Sequence, residues 1–329
     1  MEIASGIYQL KVPIPDNPLG HLNCYLIEGN NGWFIIDTGW YTVEAFNYLE
    51  AGLKDLGIAF TDISTMIITH VHSDHFGLAG KIKQVSPRTE LLTHQWEAVL
   101  IESRYIKFSD LRDKISAMLQ CHGVPLLDRL SLEKASMPAL KFVTVTFPDR
   151  VLYGGEIIST GVYNLEVIWT PGHSPGHICL YEPQNRLLFS GDHILPSITP
   201  NVSYHVQSGD NPLGDYVYAL HKLQNIPALK VLPAHEGIFT DLRGRIEQIV
   251  EHHDKRKNEI QNVLADEFHN AWEVSSTLTW NTPGLTWDNL PPLHKRGAVT
   301  ETIAHLECMR WEGTVRRKID GNCISYASQ

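Results

Sequence analysis

Residues 66–75, Met66-Ile67-Ile68-Thr69-His70-Val71-His72-Ser73-Asp74-His75, restrict this chain more than any other stretch. A short apolar run ends abruptly in His-x-His-x-Asp-His. Three imidazoles and a carboxylate within six residues are too many ligand-type side chains for a packing explanation. Crowded on one surface they repel or stay unsatisfied unless something positive sits among them. A divalent cation meets that need, and imidazole with carboxylate suits zinc, iron or manganese. A loop that is histidine-rich by accident would not explain the apolar lead-in.

Three further segments repeat the device. Leu165-Glu166-Val167-Ile168-Trp169 runs into Thr170-Pro171-Gly172-His173, Leu187-Leu188-Phe189-Ser190 into Gly191-Asp192, and Lys230-Val231-Leu232 into Pro233-Ala234-His235. Each reads as a short buried strand entering a tight turn, with Pro or Gly as punctuation and a ligand-type residue at the turn. A sheet that delivers ligands at strand ends gathers them along one rim.

The set His70, His72, Asp74, His75, His173, Asp192 and His235 resembles the metallo-β-lactamase superfamily in its two-metal branch. Asp37, in Phe34-Ile35-Ile36-Asp37-Thr38-Gly39, is similar to that family's early Asp-Thr-Gly strand end. The resemblance implies an α/β fold, an αββα sandwich. It implies that His70, His72 and His173 hold one metal, that Asp74, His75 and His235 hold the other, and that Asp192 bridges both. Asp74 and Asp192 are then the catalytic carboxylates. The cofactors are two divalent ions, zinc by default with iron or manganese also compatible, and a metal-bridging hydroxide is the nucleophile. His177 and Asp37 are expected to support ligands and not to bind metal, since seven ligands already fill two sites. His193 is expected to face away from Asp192. Tyr204 and His205 read equally as pocket lining or surface loop.

Composition fits a soluble enzyme of 329 residues, large enough for one main domain plus a smaller one. No stretch approaches the ~20 apolar residues of a membrane span. Residues 1–6 show no secretory pattern, so a cytoplasmic protein without membrane attachment is expected. The cysteines Cys24, Cys121, Cys179, Cys308 and Cys323 form no Cys-x-x-Cys pair, which argues against a cysteine zinc knuckle and fits a reducing compartment. A formal net charge of −10 argues against a nucleic-acid partner while leaving room for a local basic patch; the partner expected is the small-molecule substrate that the resemblance implies. The oligomeric state is not encoded in any motif.

Residues 1–245 are assigned to the catalytic domain, with a helical insertion over about 95–140. There Trp96, Val99 and Leu100, then Leu111, Ile115, Met118 and Leu119, recur at helical spacing. The insertion reads as a lid over the substrate or as groove packing. Residues 246–329 form a C-terminal winged-helix-like domain. His252-His253, on a long helix among Glu251, Asp254, Lys255 and Arg256, read as a solvated helix face. Val315 to Tyr326 reads as a β-hairpin turning on Asp320-Gly321-Asn322. This tail resembles the winged-helix tail of some β-lactamase-like hydrolases, a group that includes an endoribonuclease. It is expected to pack beside the site.

The resemblance implies a hydrolase of a thioester, ester or lactone, similar to hydroxyacylglutathione hydrolases and thioesterases, which carry a bridging Asp where true β-lactamases generally lack one. The basic residue that serves glutathione in glyoxalase II has no counterpart in residues 193–200. The alternative is a phosphodiesterase, endoribonuclease-like, using Arg316, Arg317 and Lys318 on phosphates. β-Lactam hydrolysis is a lesser alternative, as a side activity.

Overall fold

The computed structural model describes residues 1–134, 137–265, 267–282 and 284–329. Seven strands form a first sheet in chain order: β1 (Glu2–Ala4), β2 (Ile7–Pro13), β3 (His21–Ile27), β4 (Trp33–Ile36), β5 (Ile63–Ile67), β6 (Glu90–His94) and β7 (Arg150–Leu152). The hairpin-linked strands β1 to β4 are antiparallel, while β4, β5, β6 and β7 run parallel. The second sheet has the order β12-β11-β10-β9-β8, from β8 (Ile157–Ser159), β9 (Asn164–Trp169), β10 (Ile178–Glu182), β11 (Leu187–Gly191) and β12 (Lys230–Pro233). In it β11 and β12 are parallel and β9 is antiparallel to β10, which is antiparallel to β11. So β9, β11 and β12 all point the same way.

Strand periodicity sorts side chains into layers. Phe34, Ile36 and Ile67 from the first sheet meet Leu165, Val167, Leu180, Phe189 and Leu232 from the second, forming the interior of a sandwich. The alternate residues Ile35 and Met66 face helices α1 (Val43–Asp55), α2 (Ser73–Phe76) and α3 (Ala79–Val85), in a core with Leu49, Leu53, Phe76 and Ile82. Cys179, Tyr181 and Leu188 face away from the sandwich, as their neighbours face into it. Both faces are therefore buried along the central strands β3 to β6 and β10 to β12, which is why these read as nearly continuous apolar runs, while β8 and β9 bury one face and leave alternate residues partly exposed. The result is the expected αββα sandwich.

The insertion supplies α4 (Gln95–Ile101), a π-helical turn at Glu102–Ile106, α5 (Phe108–Cys121) and α6 (Leu126–Lys134). Then α7 (Pro212–Leu223), capped by Asn211 with Pro212 in its first turn, covers the second sheet. The C-terminal elements are α8 (Leu242–Leu264), β13 (His269–Asn270), α9 (Ala271–Thr277), α10 (Pro292–Trp311), β14 (Val315–Asp320) and β15 (Cys323–Ser328). The three strands form a small sheet, β13-β15-β14, so the order is helix, strand, helix, helix, hairpin. A division at residue 245 falls in the first turn of α8. Leu111, Ile115 and Leu119 of the insertion share one core with Ile260, Val299, Ile303, Leu306 and Tyr326 of the C-terminal unit.

Two local readings are corrected. His253 is not on a solvated face: it is buried with Ile246, Ile249 and Ile260, and its ring nitrogen lies 3.1 Å from His305 of α10. The buried stripe of α8 passes through His253 and Arg256, which their charged neighbours concealed; His252 beside it is exposed. The C-terminal hairpin turns on Gly321-Asn322 alone, because Asp320 still pairs with Cys323. Gly321 has a φ of 58°, as a two-residue hairpin loop opening on glycine requires.

Candidate metal centre

Each of the seven expected ligands, and Asp37 with them, lies beyond a strand's carboxyl end. Asp37 follows β4, and His70, His72, Asp74 and His75 follow β5. His173, Asp192 and His235 follow β9, β11 and β12. Because those strands run the same way within each sheet, the ends share one rim, where ligands of α/β sheets generally bind. The turns demand special backbone. Gly172 has a φ of 133°, and a Cβ there would sit 2.3 Å from Tyr216 Cβ. Gly191 has a φ of 51°, and a Cβ there would meet His177 Nε2 at 2.5 Å. Only glycine fits either place.

The rim contains two groups of converging donor atoms. His72 Nδ1 lies 2.9 Å from His70 Nε2 and 3.1 Å from His173 Nε2. In the second group His235 Nε2 lies 3.3 Å from Asp74 Oδ2, and His75 Nε2 lies 3.8 Å from it. Asp192 stands between the groups. Its Oδ2 is 3.4 Å from His75 Nε2 and 3.7 Å from His173 Nε2, and its Oδ1 is 3.4 Å from His235 Nε2.

The chemistry of these atoms fits a cation. His75 Nε2, His235 Nε2 and Asp192 Oδ1 are buried and have no hydrogen-bond partner among the described residues. Burial and the neighbouring imidazoles His75 and His72 hold His70 well below the usual histidine range, so its lone pair is available. Burial alone would lower His75 too, but the carboxylates of Asp192, Asp37 and Asp74 outweigh it and raise His75 well above that range. Burial would raise Asp192, yet His235 and His75 hold it well below the usual carboxylate range. The protons on His75 stand where a cation would: a metal must displace them, and the carboxylates that hold those protons would then hold the ion.

A second layer orients the ligands. Asp37 accepts hydrogen bonds from Thr69 N, Thr69 Oγ1 and His75 Nδ1, each at 2.8 Å. His235 Nδ1 donates to His21 O at 2.9 Å and His173 Nδ1 to Asn201 O at 2.8 Å, leaving each Nε2 turned into the cluster. His177 is committed on both nitrogens, accepting from Asp192 N and donating to Thr170 Oγ1. His193 is buried against Tyr216, with ring centroids 4.6 Å apart.

One supporting residue escapes the sequence. Glu97 of α4 is fully buried and accepts from Val71 N and Gly176 N, both at 2.8 Å, and from Ser174 Oγ. It ties the His-x-His segment to the His173 turn. The only hint is an acid on the inward side of an amphipathic helix.

A cavity of about 380 Å³ opens on His72 and Asp74. Trp40, Phe108, Leu111, Ile115 and Leu140 supply apolar wall, and Arg104, His205, Gln207 and Arg296 the polar part. The insertion and α10 thus both reach the site. Leu111 and Ile115 act as packing and as lining at once. Tyr204 is not in the lining; it packs in the C-terminal core. Residues of α10 also brace the loop carrying Asn201: Glu301 accepts from Asn201 Nδ2 at 3.0 Å, and Thr300 O from Tyr204 N at 2.9 Å.

Comparison with known proteins agrees with this geometry. The profile of the Metallo-beta-lactamase superfamily matches residues 18–235. Over 97% of both chains, this one is 25% identical to a Bacillus subtilis protein named "Probable metallo-hydrolase YqjP". It is 27% identical to an acyl-coenzyme A thioesterase of Gallus gallus, over 72% of this chain and 80% of that one. A solved metallo-beta-lactamase family protein of Thermus thermophilus is 29% identical and superposes over the full length of both chains with a TM-score of 0.81. The chain belongs to the metallo-beta-lactamase superfamily and is a metallo-hydrolase of it.

Proposed function

We propose that the protein hydrolyses acyl thioesters, or similarly activated esters and lactones, with two divalent ions held on the His/Asp rim. The cavity carries this reading. It is near the small end of ligand pockets, roughly 300–1,000 Å³, and its Phe108, Leu111, Ile115 and Leu140 wall suits an alkyl chain beside the rim. The similarity to an acyl-coenzyme A thioesterase supports the same class.

His70, His72 and His173 would hold one ion, Asp74, His75 and His235 the other, with Asp192 shared. Zinc is the default, and the same donors accept iron or manganese. When bound, such ions make water acidic near neutral pH and polarise a carbonyl oxygen. The chain does the rest. Asp74 faces the cavity as a carboxylate held at about 2, because His75 and His235 outweigh the effect of burial. It is the group placed to accept a hydrogen bond from an attacking water and so to orient it. Tyr105 is not free to act as an acid, since its hydroxyl donates to Val71 O at 2.5 Å. Trp40 Nε1 donates to Ser73 Oγ at 3.1 Å, which fixes the cavity floor next to Asp74.

Nucleic-acid cleavage has less behind it. Arg317 pairs with Glu307 at 3.0 Å, Lys318 with Asp320 at 3.4 Å, and Arg316 lies over Phe268. The test is a panel of thioesters, lactones, phosphodiesters, short RNA and a chromogenic cephalosporin with metal-loaded protein. The highest kcat/KM is expected on a thioester. A phosphodiester or RNA as the best substrate would overturn the proposal.

A further inference from the structure

The cavity wall contains two guanidiniums, those of Arg104 and Arg296, that form no ion pair among the described residues. Arg104 projects from the π-helical turn, which Lys107 N closes on Glu102 O at 2.7 Å; such turns recur at functional sites. Its Nε donates to Gln207 Oε1 at 3.2 Å, and Gln207 Nε2 donates to Ser103 Oγ at 2.6 Å. The side chain is thereby aimed, while its terminal nitrogens have no protein partner among the described residues. Arg296, in the first turns of α10, has neither a side-chain hydrogen bond nor an ion pair among the described residues, although it lines the same cavity. Burial and the nearby Arg104 charge lower it.

Structural arginines in this protein look different. Arg245 donates to Leu195 O, Ile198 O and Gln248. Arg256 is paired with Glu259 and donates to Thr279 O. Two like charges in one cavity, neither within ion-pair distance of a carboxylate among the described residues although Asp74 lines the same cavity, oppose folding unless an anion arrives to share them. Guanidinium also offers the planar fork that recognises carboxylate and phosphate.

We infer that Arg104 and Arg296 form an anion subsite for a carboxylate or phosphate carried by the substrate. This rests on the proposed acyl-thioester chemistry and narrows it. The substrate has an apolar stretch along Phe108, Leu111 and Ile115 and a negative group at the two arginines. That group sits either on the acyl chain, as in a dicarboxylic half-thioester, or on the thiol, as in a phosphorylated carrier.

The test reads ratios on metal-loaded, full-length protein. Succinyl against butyryl N-acetylcysteamine thioester isolates an acyl carboxylate. Butyryl-4′-phosphopantetheine against butyryl-pantetheine isolates a thiol-side phosphate. One ratio of kcat/KM should favour the anion by roughly 10- to 100-fold, the range of hydrogen bonds to charged groups. It should fall toward one in Arg104→Gln/Arg296→Gln, through KM, with Arg296→Lys between. Calorimetric titration with glutarate and with butyrate reads the subsite without turnover: glutarate should bind more tightly, and the double variant should lose the difference. Thioesters left intact with the glutarate preference present would overturn the hydrolytic proposal and keep the subsite. Thioesters cleaved with both ratios near one, or ratios unchanged in the double variant, would overturn the subsite.

Discussion

The metal rim and the cavity wall are built in opposite ways. The rim draws its residues from strand ends, each with its own apolar lead-in and turn, and an outer partner fixes most of its rings. The wall is assembled from a π-helical turn, α5, the loop around residues 205–207 and α10, elements that meet only in the folded chain. A rim made from sheet edges is rigid and generic. A wall made from inserted and C-terminal elements is where specificity can vary without disturbing the metals.

The contrast can be broken first at Asp192. Asp192→Asn removes the charge shared by both groups. Elemental analysis should fall from two metals per chain to one or fewer, and kcat/KM by more than about 100-fold. Two metals retained with full activity would end the shared-ligand reading.

Asp37→Asn and Glu97→Gln probe the outer layer. Each should weaken metal binding or activity by about 10- to 100-fold, measured by chelator competition. Glu97→Gln should act even though no strand-end motif includes it.

The wall should respond differently. Ile115→Ala should cost about 2–4 kcal/mol of stability in urea denaturation, leave two metals per chain, and shift acyl preference toward longer chains. Lost metal with unchanged chain-length preference would erase the distinction between rim and wall.

The packing of α8 against α10 predicts a pH effect. Burial lowers His305 to about 3, and burial with His305 and His252 beside it lowers His253 well below the usual range. Arg256 and Lys257 flank the pair, and Glu301 offers it a backbone carbonyl. Folded-state values below the unfolded 6.5 mean the unfolded chain binds more protons. Stability is then full above pH 6.5 and falls as pH drops toward 3, by up to about 1.4 kcal/mol per pH unit per histidine. Denaturation at pH 7 and pH 5 should show the loss, and His305→Gln should reduce it.

The smallest effect is expected from the hairpin. Replacing Arg316, Arg317 and Lys318 with Gln should leave thioester hydrolysis unchanged and cost about 1 kcal/mol, by removing Arg317 from the buried Glu307. Submicromolar RNA binding at physiological salt, abolished by that change, would reverse the reading of the tail.

The two regions also differed in legibility. His70, His72, Asp74 and His75 stand together in the chain, and His173, Asp192 and His235 each follow a strand that announces itself. Glu97 was hidden because a buried acid on an amphipathic helix looks like a solvated one until its three donors are known. His253 was misjudged for the converse reason: its charged neighbours are exposed, but the ring is one residue round the helix, on the buried stripe.

The sequence by itself determined the sandwich and which His and Asp residues gather on its rim, because strand periodicity and strand-end turns are local and each residue's place follows from its own few neighbours. Only the tertiary structure decided which groups line the cavity beside that rim. Arg104 and Arg296 lie far apart in the chain, and no local pattern brings them together. They share a cavity because the insertion and the C-terminal unit are packed on one apolar core, and burial contributed from both sides of that core is a property of the whole fold.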